Sequence, residues 1–195
     1  MSLGGGPLSA PFFPTISCGA SLEWHQQAFP AVRIVSHEKN RQLMIGPALE
    51  FNRPLLEADK AFLDQKKNVH LVFPNVTFSD RLAIELGGRH VEVLNYGRGV
   101  TPGDTFVYLP NGKILLLGDL IVNPITFALS GFPSEWLRVL EKVDALDATT
   151  IVTGHGAPLH DRTLLHATMA VFRVLLREGK AAKAKGQSTK SSTAR

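Results

Sequence analysis

The sequence predicts a layered α/β fold, and three observations predict it. Short β-branched runs cluster early in the chain, whereas strand and helix patterns alternate late. The stretch from Phe78 to Leu117 reads as a largely antiparallel meander, so one continuous helix-covered parallel sheet is not expected. At 195 residues with 44% hydrophobic side chains, the chain can bury the core of one ordinary domain.

Taken in order, Met1 to Leu22 carries no charged residue and is punctuated by Gly4, Gly5, Gly6, Pro7, Pro11, Pro14 and Gly19. No period emerges there, and residues 1–22 are expected to form an irregular, disordered leader. Val32 to Ser36 is a β-branched run that reads as a strand. Pro54 to Lys67 reads as a helix, with Pro54 at a first helical position and Leu55, Ala58 and Phe62 at helical spacing. Val69 to Phe73 and Phe78 to Leu86 read as strands, Gly87-Gly88 as a turn, and His90 to Leu94 as an alternating strand.

Thr105 to Leu109 and Lys113 to Leu117 flank Pro110-Asn111-Gly112. Asn-Gly supports the positive φ of a tight hairpin turn, so an antiparallel pair is expected. Ser134 reads as the N-cap of a helix whose apolar face is Trp136, Leu137, Leu140 and Val143. Thr149 to Val152 reads as a short buried strand. Thr163 to Arg177 reads as a second amphipathic helix. There is no internal repeat and no coiled-coil heptad pattern.

Charge is unevenly distributed. The net charge is +4, but Lys180, Lys183, Lys185, Lys190 and Arg195 all follow Gly179, with no acidic residue among them. Removing these five from 21 basic residues leaves 16 against 17 acidic ones, a nearly neutral body. Residues 179–195 are therefore expected to be a disordered basic tail. Nucleic-acid binding is not expected of it, because it has no aromatic residue to stack a base. Cys18 is the single cysteine, which excludes an internal disulfide, fits a reducing, cytoplasmic setting and reads as chemically inert. No apolar run reaches the roughly 18 residues of a membrane span, and no secretory signal is read.

Two residues stand where chemistry could sit. Asp119 follows Gly118 at the C-terminal end of an apolar strand, the edge at which α/β proteins commonly bind ligands. His155 lies between Gly154 and Gly156 just beyond another strand, where the flanking glycines free the backbone to aim an imidazole into a cleft. Carboxylate and neutral imidazole are suitable ligands for zinc, manganese or iron. Each alone is as well explained by a turn cap or a loop histidine. Together they share one predicted sheet edge.

The ordered set Thr101-Pro102-Gly103-Asp104-Thr105, an apolar strand, Leu109-Pro110, Lys113 and a second apolar strand, Gly118-Asp119-Leu120, a Trp136-Leu137 helix, then Gly154-His155-Gly156 resembles metallo-beta-lactamase-fold hydrolases. The resemblance covers about Ala28 to Arg177. It implies an αβ/βα sandwich with an antiparallel-rich sheet covered by helices. It also implies an incomplete domain over residues 23–178. In that family a His-x-His-x-Asp-His loop supplies four metal ligands, and a His precedes Thr-Pro-Gly. An Asp then follows the strand-end Gly, and a Gly-His-Gly segment completes the set. This sequence has no His-x-His-x-Asp-His cluster, and Val100 stands before Thr101. The resemblance therefore carries over only Asp119 and His155 as metal ligands.

Ala28 to His37 resembles the stretch after the missing loop, which makes His37 a strand-end residue rather than a ligand. His25 is the best candidate for a substitute ligand, ahead of His90, His160 and His166. Thr101 and Asp104 are expected to tie down the loop around Pro102-Gly103, and Arg98 to face solvent rather than an anionic substrate.

Descent from a zinc-dependent hydrolase of a small-molecule substrate is the leading expectation. One or two zinc ions serve the family, and weak or absent binding is expected here. The alternative is a non-catalytic binding or dimerisation module, with a second copy or a partner covering an exposed sheet face.

Overall fold

The computed structural model describes residues 13–14, 33–46, 73–126 and 131–186. In chain order the elements are β1 (Phe13–Pro14), β2 (Ile34–His37), α1 (Glu38–Ile45), β3 (Val76–Phe78), β4 (Arg81–Leu86), β5 (Arg89–Leu94), β6 (Phe106–Leu109), β7 (Ile114–Gly118), α2 (Pro133–Asp144), β8 (Thr150–Thr153) and α3 (Thr163–Ala184).

Two sheets form. Strands β1, β2 and β3 make a parallel sheet in that order. Strands β4 to β8 make a five-stranded sheet in chain order, antiparallel except for the last pair, β7 and β8. The period of two in the sequence sorts side chains between the two faces of this second sheet. Leu94, Phe106, Leu115 and Leu117 join Trp136, Leu140, Leu165, Met169 and Phe172 in a core under α2 and α3. Val91, Val93 and Val107, with Leu116 against them, meet Val35 and Phe78 of the parallel sheet in a second core. The sheets thus pack face to face, and α2 and α3 cover the outer face of the larger one. Each face of the five-stranded sheet carries one of the two cores.

Other expectations are revised locally. Phe13 and Pro14, placed in the irregular leader, pair with Ile34 and Val35 as a parallel strand. The strand expected over Phe78 to Leu86 breaks at Ser79-Asp80. There His37 Nε2–H donates to the Ser79 carbonyl at 2.6 Å, and the Asn95 N–H donates to the Asp80 carbonyl at 2.9 Å. The expected Asn-Gly turn is a short 3₁₀ segment, Pro110–Gly112, and the positive φ falls on Lys113 at 51°. Pro at the first position sets φ for this segment, and the Lys113 N–H closes it on the Pro110 carbonyl at 3.1 Å.

Helix α2 starts at Pro133, so Ser134 lies inside its first turn and is not the N-cap. Helix α3 runs to Ala184, six residues into the stretch expected as a disordered tail from Gly179. Helix α1 has a short, weakly apolar sequence. It begins because the His37 side chain caps it, Nδ1 accepting from the Lys39 N–H at 3.1 Å. The helix expected over Pro54 to Lys67 lies outside the described residues, as does most of the strand expected over Val69 to Phe73.

Candidate metal centre

Strands β7 and β8 are parallel neighbours, so their C-terminal ends emerge side by side. A register irregularity between Leu116 and Gly118, with Gly118 at φ 55°, turns the chain out of the sheet and presents Asp119. On the neighbouring strand, Gly154 brings the backbone against that turn. Its N–H donates to the carbonyls of Gly118 (2.8 Å) and Ile121 (3.1 Å). A Cβ at Gly154 would stand 2.2 Å from Asp119 Oδ1, a distance no side chain tolerates. His155 follows, and its backbone carbonyl is held by the Asn123 N–H (3.1 Å) and the Thr153 hydroxyl (2.7 Å).

The result is an Asp119–His155 pair, Oδ1 to Nε2, at 3.5 Å. The two sequence-predicted ligands do meet. The carboxylate is 23% exposed and the imidazole 72% exposed, so the pair faces water.

Val100 does not join them as a donor. Its side chain packs against the core of Leu120 and Trp136. Among the described residues, no third His, Cys, Asp or Glu completes a group able to hold a metal ion. A catalytic zinc site needs about three protein ligands and an open position. The described donor set therefore does not fit the family's metal centre.

The other described histidines are otherwise engaged or lie elsewhere. His37 is buried, and both its ring nitrogens are occupied. Nδ1 accepts from Lys39 while Nε2–H donates to the Ser79 carbonyl, which assigns the neutral Nε2–H tautomer. His90 sits between Glu85 and Glu92. Hydrogen bonds from Glu85 and then Glu92 hold its pKa above the usual imidazole value. His166 on α3 pairs with Asp144 at the end of α2 (3.0 Å), and His160 is exposed just before α3. His25 lies outside the described residues.

The loop from Gly97 to Thr105 is built around Asp104, which is only 3% exposed. Both its carboxylate oxygens accept from the Thr101 N–H at 3.1 Å, and the Thr101 hydroxyl donates to Oδ1. The same hydroxyl lies 3.1 Å from Asn40 Oδ1, which ties the loop to α1. Burial pushes the Asp104 pKa up to about 6, although the Thr101 hydroxyl and the backbone amides of Thr101, Val100 and Gly99 pull the other way. This is the structural role expected of Thr101 and Asp104. A Cβ on Gly99 would meet both Asp104 Oδ2 and Leu120 Cδ2 at 2.6 Å, so the loop closes only over glycine.

Arg98 keeps 42% of its side chain exposed, and its guanidinium is also paired within the protein. It grips Glu135 with two nitrogens, Nε–H donating at 2.8 Å, and its guanidinium lies 4.2 Å from the Phe132 ring centroid. The Arg98 guanidinium in turn holds Glu135 below the usual carboxylate range. An open polar cleft of about 680 Å³ lies between His37, Lys39, Arg81, Glu92, Tyr96 and Lys142, and neither Asp119 nor His155 lines it.

Two facing sheets, with helices on the outer face of the larger one, make a layered α/β sandwich with an Asp–His pair at its strand ends. The chain belongs to the metallo-beta-lactamase superfamily, whose family model matches residues 18–155. No curated protein matches it in sequence.

Solved structures share the fold. A metallo-beta-lactamase family protein from Thermus thermophilus is 20% identical with a TM-score of 0.56, over 76% of this chain and 55% of that one. A metallo-beta-lactamase from Pontibacter korlensis is 22% identical with a TM-score of 0.51, over 78% and 74%. The mono-zinc form of the metallo-beta-lactamase FIM-1 from Pseudomonas aeruginosa is 14% identical with a TM-score of 0.55, over 77% and 59%. The chain thus spans just over half of the Thermus protein's length.

Gly154, singled out in the sequence beside His155, is the point of close backbone approach, whereas Asn40 and Arg162 carried no signal in the sequence because their partners lie far away in the chain.

Proposed function

We propose that this chain is a metal-dependent hydrolase by descent whose metal chemistry has lapsed. The observation that carries the reading is the pairing of Asp119 and His155 at 3.5 Å while a valine, Val100, packed against the core, stands at the position of a family ligand. Two donors bind zinc weakly and do not generate a metal-bound hydroxide at neutral pH. Among the described residues the pair is a carboxylate beside an exposed imidazole, with a small-molecule hydrolytic substrate as the ancestral reactant. A reducing, cytoplasmic setting suits the lone Cys18. Among the described residues, no helix is long and apolar enough to cross a membrane.

The test is turnover of ester, thioester, lactone, phosphodiester and β-lactam substrates with and without added zinc, compared with Asp119→Ala. No zinc-dependent turnover is expected. Zinc-dependent hydrolysis that disappears in Asp119→Ala overturns the reading.

The second reading, a non-catalytic binding or dimerisation module, is favoured by one observation. Val171, Val174 and Leu175 form an exposed apolar patch on α3, remote in sequence from the Asp–His pair.

A further inference from the structure

We infer that His90 is a pH-sensitive clasp on the edge of the five-stranded sheet: as an imidazolium it bridges Glu85 of β4 to Glu92 of β5, and on losing a proton it lets one of them go. None of the groups involved belongs to the Asp119–His155 pair, so the inference stands apart from the metal chemistry.

Among the described residues β4 is an edge strand, bonded to β5 alone. A strand held on one side depends more on side chains that cross to its neighbour. Glu85 stands directly opposite His90, one pair away from the Gly87-Gly88 turn. His90 Nδ1 lies 2.5 Å from Glu85 Oε1, and Nε2 lies 3.3 Å from Glu92 Oε1. The same Glu92 oxygen accepts from Arg81 Nη2 at 2.6 Å, back on β4. The result is a ladder of alternating charge, Glu85, His90, Glu92 and Arg81, laced across the hairpin.

Counting protons decides which form of His90 fits. A carboxylate only accepts, and a neutral imidazole has one N–H to give. Carboxylates at both ring nitrogens need two N–H groups, so the arrangement is complete only for the imidazolium. Once the ring is neutral, one contact sets a lone pair against a carboxylate, whichever nitrogen keeps the proton. The other weakens from an ion pair to a hydrogen bond.

The surrounding groups leave this balance in place. Tyr108 of β6 stands opposite Glu92 but gives its hydroxyl to the Asp147 carbonyl at 3.0 Å. Tyr96 is kept neutral by burial, with Lys142 of α2 over its ring at 5.7 Å. Arg89 belongs to the opposite face by strand alternation. Glu38, Lys39 and Asp80 share the polar cleft with Arg81 and Glu92, so the clasp borders one wall of that cleft. Glu85 and then Glu92 raise the His90 pKa above the ordinary 6.5. The clasp is therefore closed below that value and opens as pH rises through the raised one. Leu82 and Ile84 hold β4 to the second core from its other face, so opening loosens the strand without releasing it.

Amide hydrogen exchange of the full chain between about pH 5.5 and about pH 8.5, read as protection factors, tests this beside His90→Gln and His90→Arg. Protection of the β4 amides relative to those of β6 and β7 is expected to fall by about threefold over the range. That ratio separates the clasp from buried Asp104, whose ionisation acts on the whole fold. His90→Gln should begin at the lower ratio and stay there. His90→Arg, with a charge that does not titrate, should keep the higher ratio throughout. An equal fall in His90→Gln, or a His90 imidazole that titrates by NMR at or below 6.5, overturns the inference.

Discussion

Asp104 shows how much a single side chain can organise. It is a buried carboxylate that gathers the amides of Gly99, Val100 and Thr101, and its pKa rises to about 6 because desolvation outweighs those hydrogen bonds. A carboxyl raised above its unfolded value of 3.8 stabilises the fold when protonated, below pH 4, and loses that contribution as pH rises through 6. This group alone should lower stability by roughly 2–3 kcal/mol over that window. Asp104→Asn, followed by denaturant melts at pH 4 and pH 7, should flatten the dependence. An unchanged pH slope would remove Asp104 as its source. Gly154 acts at the same scale. Gly154→Ala must displace Asp119 and should cost about 1–3 kcal/mol by the same melts. Trp136 is fully buried. Its indole N–H donates to the Leu120 carbonyl at 3.2 Å and its ring lies 4.9 Å from that of Phe172. It therefore anchors the turn that carries Asp119, and Trp136→Ala should cost on the order of 3–5 kcal/mol.

At the scale of elements, Arg162 joins the end of α2 to the start of α3. Its guanidinium donates to the carbonyls of Asp144 (2.7 Å), Leu146 (2.6 Å) and Ala148 (3.1 Å), and to Asp144 Oδ1 at 2.9 Å. The Asp144 carbonyl ends α2, and those of Leu146 and Ala148 lie in the connection just after it. Burial pushes Asp144 up, but Arg162 and His166 outweigh it and hold this carboxyl below its usual range. Arg162→Ala should cost about 2–3 kcal/mol in a chemical melt, with Arg162→Lys recovering only part, since one ammonium cannot serve three carbonyls in a plane.

Elements also mark the reach of the sequence. The strands were legible because Leu115, Leu116 and Leu117 are flanked by turn residues and alternate between two cores. The start of α2 was not, because Ser134 is a good cap in isolation whereas Pro133 takes the first helical position. Nor was α1, whose cap is a histidine held by a carbonyl 42 residues away. The length of α3 was understated because its last turns, rich in Lys and Ala, have no apolar face to read, although both residues favour helix.

For the whole molecule, topology brings Asp119 and His155 to one sheet edge across 36 residues of sequence, and their positions at two strand ends, with the family order, made that pairing legible. Paired charges such as Arg98–Glu135 were not legible, since nothing local links residues 37 positions apart. Val100, partly buried, packs against the core, and among the described residues no third His, Cys, Asp or Glu joins the pair to make a metal-holding group.

The most direct measurement is isothermal titration of the purified full chain with zinc, paired with thermal melts and with His155→Ala. The account predicts weak uptake, no stoichiometric step at micromolar protein, and a Tm that zinc leaves unchanged. Stoichiometric binding that raises Tm and vanishes in His155→Ala would contradict it, because a complete zinc centre would then stand where the structure shows a pair.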